Sequence, residues 1–329
     1  MERFVFVAAI TVAVIFALVA VLGDEEFGVH FGDADAFGAS ELVEVSPGRM
    51  EAAAFAGASL RIRDAAARVI IIPEDRQDFQ VEIDNSAGRA PMPTVTVSDG
   101  KVIIDGHLRG RIDDCSSDGG ADLEHYGELA ADQLPAITIR APRAVDLDRS
   151  GAGTTEIGPA QALDLDFSGC GAVTAGDVAG DLEVDLAGSG AVRTGAARSL
   201  NVDMAGSGDM TTGAIAEAAE LDVAGSGTIT IASLTGDLNA DAAGSGSVTV
   251  QGGDVRTAEV DLAGSAVVTI AAPVRTLNVS IVGSGGVDVT NTVGDLEADV
   301  AGSGSVSVQA VTGTVQRQIF GSGEVRIGR

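Results

Sequence analysis

A glycine-rich hexapeptide recurs through the second half of the chain and constrains its fold more than any other feature. Its clearest copy runs from Ala187 to Val192, and the first glycines of ten copies lie 18 to 20 residues apart. A unit this short cannot bury an apolar face alone, so stacking of successive units into a solenoid is predicted. The ten first glycines are Gly151, Gly169, Gly188, Gly206, Gly225, Gly244, Gly264, Gly283, Gly302 and Gly321.

Residues on both sides of each corner glycine alternate between apolar and polar types. Upstream of Gly188 the apolar positions are Leu182, Val184 and Leu186, and downstream of Gly244 they are Val248 and Val250. This period of two predicts a pair of β-strands in each repeat, each with one buried and one exposed face. Paired glycines suit a corner that needs positive φ or close approach to the next coil.

A further aliphatic residue about nine to eleven positions after most corner glycines indicates a short third side. Seven repeats show it: Val178, Ile215, Leu234, Val255, Val274, Val293 and Val311. We therefore predict an all-β chain, a right-handed parallel β-helix with three sides and about ten coils, roughly 48 Å long at ~4.8 Å per coil. A left-handed hexapeptide helix is the rival, but no strict six-residue repeat is present.

The chain before the repeats divides into three predicted segments. Residues 1–23 contain the apolar run 4–22, which follows Arg3 and precedes three acids. This run fits a transmembrane anchor that leaves the bulk of the chain outside the cytoplasm, or a cleaved signal peptide. No cysteine follows it, which argues against a lipoprotein anchor. Residues 24–50 are predicted to be an acidic, glycine-rich linker.

Residues 51–145 are predicted to form irregular capping coils, and residues 146–329 the solenoid. A bare solenoid end would expose apolar core and strand edges, so atypical terminal units are needed. Asp99-Gly100 predicts a hairpin turn, and one helical turn is predicted near 122–129 in the acidic insertion 106–134. Capping strands are predicted at residues 60–63, 69–72, 79–83, 94–97, 102–105 and 137–140.

Four segments in order resemble a known family. They are VIIIPEDRQDFQVEI from Val69, DGKVIIDG from Asp99, ITIRAPR from Ile137 and the AGSGxV coils. Over about residues 52–327 the chain is similar to the auto-transporter adhesin head family, called the GIN domain. The resemblance implies an exported bacterial β-helix with an adhesion-like role, and it offers no catalytic motif.

Acidic residues form two lines along the predicted coils. The line three residues before each corner glycine contains Asp185, Asp203, Asp222, Asp241, Asp261 and Asp299. In the line five residues before it, acid and amide alternate from Glu183 to Asn278. Like charges one coil apart repel by about 1 kcal/mol in water, and only the second line has amides to relieve this. Two interpretations stay open: Ca²⁺ bound by the six aspartates, or a solvated face with diffuse counterions.

Composition excludes several functions. A net charge of −28 argues against binding nucleic acid or anionic membrane surfaces. Three scattered histidines have no zinc-site spacing, and no other cofactor is predicted. Sugar-cleaving β-helices need a local break in the repeat, and none occurs between Gly169 and Gly302, so no enzyme is expected.

The functional hypotheses therefore concern binding and location. One is a cell-envelope β-helix with an adhesin-like role, binding a protein or glycan ligand on a surface. Its alternative is a structural spacer or assembly scaffold. The chain is expected to face the periplasm if the apolar run is kept, and to be secreted if it is cleaved.

The cysteines and the final coil complete the expectations. An even count and an exported location predict one disulfide between Cys115 and Cys170, with two isolated thiols as the alternative. The final coil carries Phe320 and a basic set, Arg317, Arg326 and Arg329, and its strand edges are expected to be exposed. Either its charges prevent the exposed edges from pairing with another chain, or this end is a contact for a homo-oligomer.

Overall fold

The computed structural model describes residues 43–116 and 119–328. The predicted anchor or signal, most of the predicted linker and Arg329 lie outside the described residues. Among the residues described, no helix is long and apolar enough to cross a membrane. From Glu44 onward the chain forms one compact unit, whose first strand begins at Gly48, inside the predicted linker segment.

The repeats form a β-solenoid of about ten turns, as predicted. Its strands pair in parallel, and each corner glycine is in register with the next, as Gly206 is with Gly188 and Gly225. The strands are β10 Ala144–Ile157, β11 Ala162–Gly169, β12 Ala172–Ala175, β13 Asp181–Gly188, β14 Ala191–Arg193, β15 Ala197–Gly206, β16 Asp209–Gly225, β17 Thr228–Gly244, β18 Ser247–Val250, β19 Gly253–Gly264, β20 Val267–Ile270, β21 Val274–Gly283, β22 Gly286–Gly302, β23 Ser305–Val311, β24 Val315–Gly321 and β25 Glu324–Ile327.

Each coil has two long sides and a short one. The segments that end at the corner glycines form one side, called here the acidic face, and the segments that follow the corner form the second face. The short third side has its own parallel pairs, such as Ile215 with Leu234 and Val274 with Val293. Six of the seven residues predicted for this side are buried and Val311 is half-buried. Alternate residues of all three sides point into one continuous aliphatic core.

The corner needs glycine for two physical reasons. All ten corner glycines have positive φ, +126° at Gly225, which a residue with a Cβ adopts only under strain. A Cβ on Gly225 would also lie 2.3 Å from the carbonyl oxygen of Gly206 in the coil before. That carbonyl accepts a hydrogen bond from the Ser226 N–H at 2.8 Å, so the coils approach closely in order to pair.

Nine strands close the N-terminal end. The strands predicted at 60–63 and 69–72 are parts of one strand, β2, because the chain turns its corner through three alanines without leaving the ladder with β10. Strands β5 and β9 continue the parallel stacking, and β4, β3 and β1 then pair antiparallel and end the repeat. Asp99 and Gly100 make the predicted hairpin turn between β4 and β5. The strands are β1 Gly48–Phe55, β2 Ser59–Glu74, β3 Phe79–Asn85, β4 Thr94–Ser98, β5 Lys101–Asp105, β6 Ile112–Cys115, β7 Ala121–Leu123, β8 Gly127–Leu129 and β9 Ala136–Pro142.

The acidic insertion forms a small antiparallel sheet rather than a helical turn. Strands β6, β7 and β8 lie in its middle, so the helical turn predicted near 122–129 is wrong. Leu123 and Leu129 are buried in a cluster with Ala66 and Ala152 at the solenoid corner. Side chains alternate between the two faces of a strand, so an extended hairpin can direct both leucines towards this corner. A single 3-10 turn, Ala131–Gln133, follows.

A disulfide between Cys115 and Cys170 ties this small sheet to the second corner of the solenoid. The two Cα atoms are 5.6 Å apart, and 55 positions of sequence separate the pair. Both cysteines pack against the buried cluster under the small sheet. The bridge therefore joins the cap covalently to the repeats that it covers.

Arg149 is buried in the core where later coils carry Phe167 and Leu186. Its guanidinium donates to the carbonyl oxygens of Ala65 at 3.1 Å and Ala152 at 2.5 Å, and burial lowers its pKa to about 10. The pairing of β10 with β2 shifts register just after Arg149. The side chain therefore satisfies carbonyls at the point where the cap meets the regular coils.

We expect Gly225→Ala to lower the free energy of unfolding by about 2–4 kcal/mol, because the new Cβ meets backbone at a strained φ. Gly286→Ala is the matched control: Gly286 lies in a strand without positive φ, and its nearest contact would be an ordinary 3.4 Å from Ser305. Urea unfolding of both variants measures the difference. Equal losses would show that the corner does not require glycine.

Replacing both cysteines with serine should destabilise the chain by up to about 4 kcal/mol, the chain-entropy value for a loop of this length. The loss should be local. Hydrogen exchange should quicken first in β6 to β8 while the middle coils stay protected. Uniform loss of protection along the solenoid would contradict a role confined to the cap.

Candidate functional site

The two predicted lines of polar residues are continuous rows on the acidic face. Strand register places Asp185 beside Asp166 and Asp203, and Glu183 beside Asn201. We call the first line the aspartate row: Asp148, Asp166, Asp185, Asp203, Asp222, Asp241 and Asp261. We call the second line the mixed row: Glu183, Asn201, Glu220, Asn239, Glu259, Asn278 and Glu297.

Side chains from outside the aspartate row relieve its charge only at its ends. Asp148 forms an ion pair with Arg61 of the cap at 2.6 Å. At the other end Asp261 accepts a hydrogen bond from Ser280, and Asp299 lies beyond that serine. None of the salt bridges in the described part of the chain reaches the aspartates between these two ends.

Two aspartates in the middle of the row have raised pKa values. Partial burial, a hydrogen bond with Asp166 and repulsion from Asp166 and Asp203 raise the pKa of Asp185 to about 7. Burial and the charges of Asp261 and Asp222 raise the pKa of Asp241 to about 6. Asp185 is thus partly protonated near neutral pH and Asp241 at slightly acidic pH, which reduces the repulsion within the row.

The described residues of the two rows are not clustered around a point as metal ligands are. No group of three or more acids, histidines or cysteines in the described ranges is arranged to hold a metal ion. Parallel register spaces the carboxylates one per coil, about 4.8 Å apart along a line, whereas Ca²⁺ needs six to eight oxygens around one point. The six aspartates predicted as a cation site are therefore in line without converging, and Asp299 is separated from the others by Ser280.

A groove of about 580 Å³ lies along the upstream edge of the acidic face, across five coils. It forms where Ala219 takes a buried position that Leu200 and Leu238 fill in the neighbouring coils. Ala218 beside it is also small, so the surface here is lower than at the longer side chains around it. The lining includes Asp181, Glu183, Ser199, Asn201, Ala218, Ala219, Glu220, Asp237, Asn239, Thr257 and Glu259.

The groove combines a short apolar floor with a polar rim. Carboxylates and hydroxyls of the rim accept hydrogen bonds, while amides and hydroxyls donate them. Arg198 contacts Asp181 at 2.5 Å and Arg256 contacts Asp237 at 2.9 Å, which neutralises the outer edge only. Such a rim suits a polyhydroxylated ligand of neutral or positive charge. Nothing in the repeat pattern predicted the groove.

We expect stability to rise as the pH falls from about 8 to 5. Asp185 and Asp241 have a raised pKa when folded, so folding favours their protonated forms; this stabilisation is complete below about pH 4 and is lost as the pH rises through 6 and 7. Asp185→Asn should therefore raise the free energy of unfolding at pH 7.5 by roughly 1 kcal/mol after solvent screening, and flatten the pH dependence of the melting temperature.

Asp237→Asn should instead lower the melting temperature at pH 7.5, because hydrogen bonds from Arg256 lower the pKa of Asp237 and its charge stabilises the fold.

Millimolar Ca²⁺ should raise the melting temperature no more than Na⁺ of equal ionic strength, since both cations only screen the charges of the aspartate row. A specific calcium effect abolished by Asp185→Asn would contradict this.

Comparisons with known proteins give one family and several solved structures. A family model described as "putative auto-transporter adhesin, head GIN domain" matches residues 95–253 and 182–292, more than half of the chain. No curated protein matches. A "putative adhesin" of Parabacteroides distasonis shares 15% identity over 87% of this chain and 99% of its own, with a TM-score of 0.43. One of Parabacteroides merdae shares 13% over 87% and 97%, with a TM-score of 0.40.

A third solved structure, a "putative lipid binding protein" of Parabacteroides distasonis, shares 17% identity over 85% of this chain and 96% of its own, with a TM-score of 0.35. The family model covers the capping hairpin as well as the repeating coils. The chain thus belongs to the family of auto-transporter adhesin heads, the GIN domain.

Proposed function

We propose that the chain is a non-catalytic adhesin head of the bacterial cell envelope that binds a neutral or basic glycan in the groove of its acidic face. The groove at Ala218 and Ala219 carries this proposal. It is an open depression across five coils, a shape that suits an extended ligand lying along the surface. The family description supports a role at the cell surface.

The rim chemistry favours sugars. A glycan presents many hydroxyls at regular intervals, and the mixed row presents alternating acceptors and donors at one per coil. Because the row runs along the solenoid axis, several sugar units can be contacted at once, so weak contacts add. Rigid strand pairing keeps these groups in place before binding, which lowers the entropic cost.

The charge of the rim also selects against some ligands. Glu183, Glu220 and Glu259 line the groove, and the aspartate row lies beside it. Sulfated or phosphorylated polymers would meet like charges and be repelled, whereas amino sugars with a free amine would gain charge-assisted hydrogen bonds. Glycans carrying such amines are therefore the favoured ligands.

Residues 4–22 are proposed to tether the head to the membrane, with the solenoid facing the periplasm; cleavage there would release it as a secreted protein. The disulfide between Cys115 and Cys170 fits either oxidising location. The intact mass of the chain purified from producing cells distinguishes the two, because cleavage removes about 2 kDa.

A structural spacer or assembly scaffold is the second candidate. The regular stacking of the coils and the dense charge of the aspartate row favour it, since both suit a rod that keeps its neighbours apart. A spacer needs no ligand in the groove. Ligand binding thus separates the two candidates.

The test is a glycan array probed with the full chain and two variants. Ala218→Phe fills the groove and should reduce binding to the retained glycans at least about tenfold. Ala191→Phe places the same bulk on the second face and should leave binding unchanged. Glu220→Gln keeps the shape and should weaken binding to amine-bearing glycans more than to neutral ones.

Three results would contradict the proposal. No retained glycan would favour the spacer, and binding unaffected by Ala218→Phe would place the ligand elsewhere. Shortening of a bound glycan, measured by mass spectrometry after incubation, would instead indicate an enzyme. Melting temperatures of all variants check that the solenoid is intact.

A further inference from the structure

The second face carries a row of mostly short, uncharged side chains through the middle of the solenoid. Five residues after each corner glycine, strand register aligns one outward residue per coil. The residues on either side of each one point into the core, as Ile229 and Ile231 do around Thr230. We call eight successive members the threonine row: Thr174, Arg193, Thr211, Thr230, Thr249, Thr269, Asp288 and Ser307.

The charges of the threonine row are placed symmetrically about its centre. Arg193 is the second residue from one end and Asp288 the second from the other, with four threonines between them. Reversing the order of the row therefore sets arginine opposite aspartate, and hydroxyl opposite hydroxyl at the remaining positions. Within one chain the two charges are five coils, about 24 Å, apart, so they are too distant to pair with each other. A reversed second copy of the row supplies the opposite charge to both.

The neighbouring outward row, three residues after each corner glycine, carries a single charge over the same described coils. It consists of Ala172, Ala191, Asp209, Thr228, Ser247, Val267, Gly286 and Ser305. The two rows together thus hold one arginine and two aspartates, whereas the acidic face holds a carboxylate in nearly every coil. Copies with a net charge of −28 repel over most of their surface. A second copy therefore meets far less repulsion on the second face than on the acidic face.

The shape and size of this face also suit a second copy. From Thr228 to Thr269 the outward side chains of the two rows are threonine, serine and valine, which reach a similar short distance from the sheet. Hydroxyls both donate and accept hydrogen bonds, so two such surfaces can satisfy each other. Eight coils at ~4.8 Å by about 15 Å of strand cover roughly 600 Å² per copy, and a pair buries about twice that, which is within the range of specific interfaces.

We propose that two copies associate through their second faces with the solenoids antiparallel. The two-fold axis runs along the strands and lies between the coils of Thr230 and Thr249. Arg193 of each copy then meets Asp288 of the other, which gives two identical ion pairs. With parallel solenoids, by contrast, like charges would lie at the same level. Both second faces are covered in the antiparallel pair, so assembly stops at a dimer.

The test is a charge-reversal series in the full chain, measured by sedimentation equilibrium at roughly 1 to 200 µM. Arg193→Asp sets aspartate opposite aspartate at both ion pairs and should weaken dimerisation at least about tenfold. Asp288→Arg should weaken it by a similar factor. The two substitutions in one chain re-form both pairs with the charges exchanged, and should restore the dissociation constant to within about threefold.

Arg275→Asp is the matched control. Arg275 is an exposed residue of the third side, so this variant makes the same change in net charge away from the second face and should leave dimerisation unchanged. Asp288→Asn keeps the shape of its side chain and should weaken dimerisation about threefold, even where Asp288→Arg perturbs its coil. Melting temperatures of all variants check that the solenoid is intact.

Asp209→Asn gives a prediction of the opposite sign. The reversed arrangement places Asp209 opposite Val267, an exposed valine that the second copy covers. Removing a carboxylate that is buried against an apolar side chain should strengthen dimerisation by about twofold to tenfold.

Three results would overturn the proposal: a chain that stays monomeric throughout, a dimer insensitive to Arg193→Asp, or a double reversal that fails to restore dimerisation. Association through residues 4–22 would give the second of these, because that segment lies outside the charge series. The groove lies on the acidic face, outside this contact, so self-association and glycan binding can fail separately.

Discussion

Each residue of the solenoid lies directly against its equivalents in the coils above and below, and the rest of the structure depends on this constraint. For apolar residues and glycines the contact is favourable: Val202 packs between Val184 and Leu221 in the core. For aspartate it is costly, because seven carboxylates stack in succession from Asp148 to Asp261. Protons on Asp185 and Asp241 and the cation Arg61 offset part of this cost.

The repeating part of the fold could be predicted because its causes are local and recur. Period-two alternation marks the strands, the corner glycines mark the turns, and single aliphatic residues such as Leu234 mark the third side. Single exceptions do not disturb the pattern: Ala266 stands in place of the second glycine of the hexapeptide, and Gly264 remains in register with Gly283. The disulfide is predicted from the even number of cysteines and the expected oxidising compartment, without knowledge of where the two residues lie in the fold.

The cap was harder to predict because tertiary contacts override its local signals. The segment around Asp122 and Leu129 has helix-forming residues, yet it becomes a hairpin because two leucines bury against the alanine corner of the solenoid. Strand β2 continues through a corner without glycine, since Ala65 to Ala67 are small enough to follow the turn. Arg149 reads as an ordinary polar residue in sequence, and only the packing of β10 on β2 buries it.

The column of corner glycines also bears on how the length of such a chain can change. Since each coil presents its neighbours with the same corner, the same hydrogen bonds and nearly the same core residues, whole coils are interchangeable units. Adding or removing one complete unit leaves every remaining interface satisfied, whereas inserting a single residue within the strand that ends at Gly225 would move Gly225 out of contact with Gly206. Single-residue differences between coils are absorbed outside these strands, as by the register shift between Gly236 and Asp237. Large differences in length between lineages of this fold should therefore come in multiples of one coil, with the cap kept while the middle is duplicated or lost.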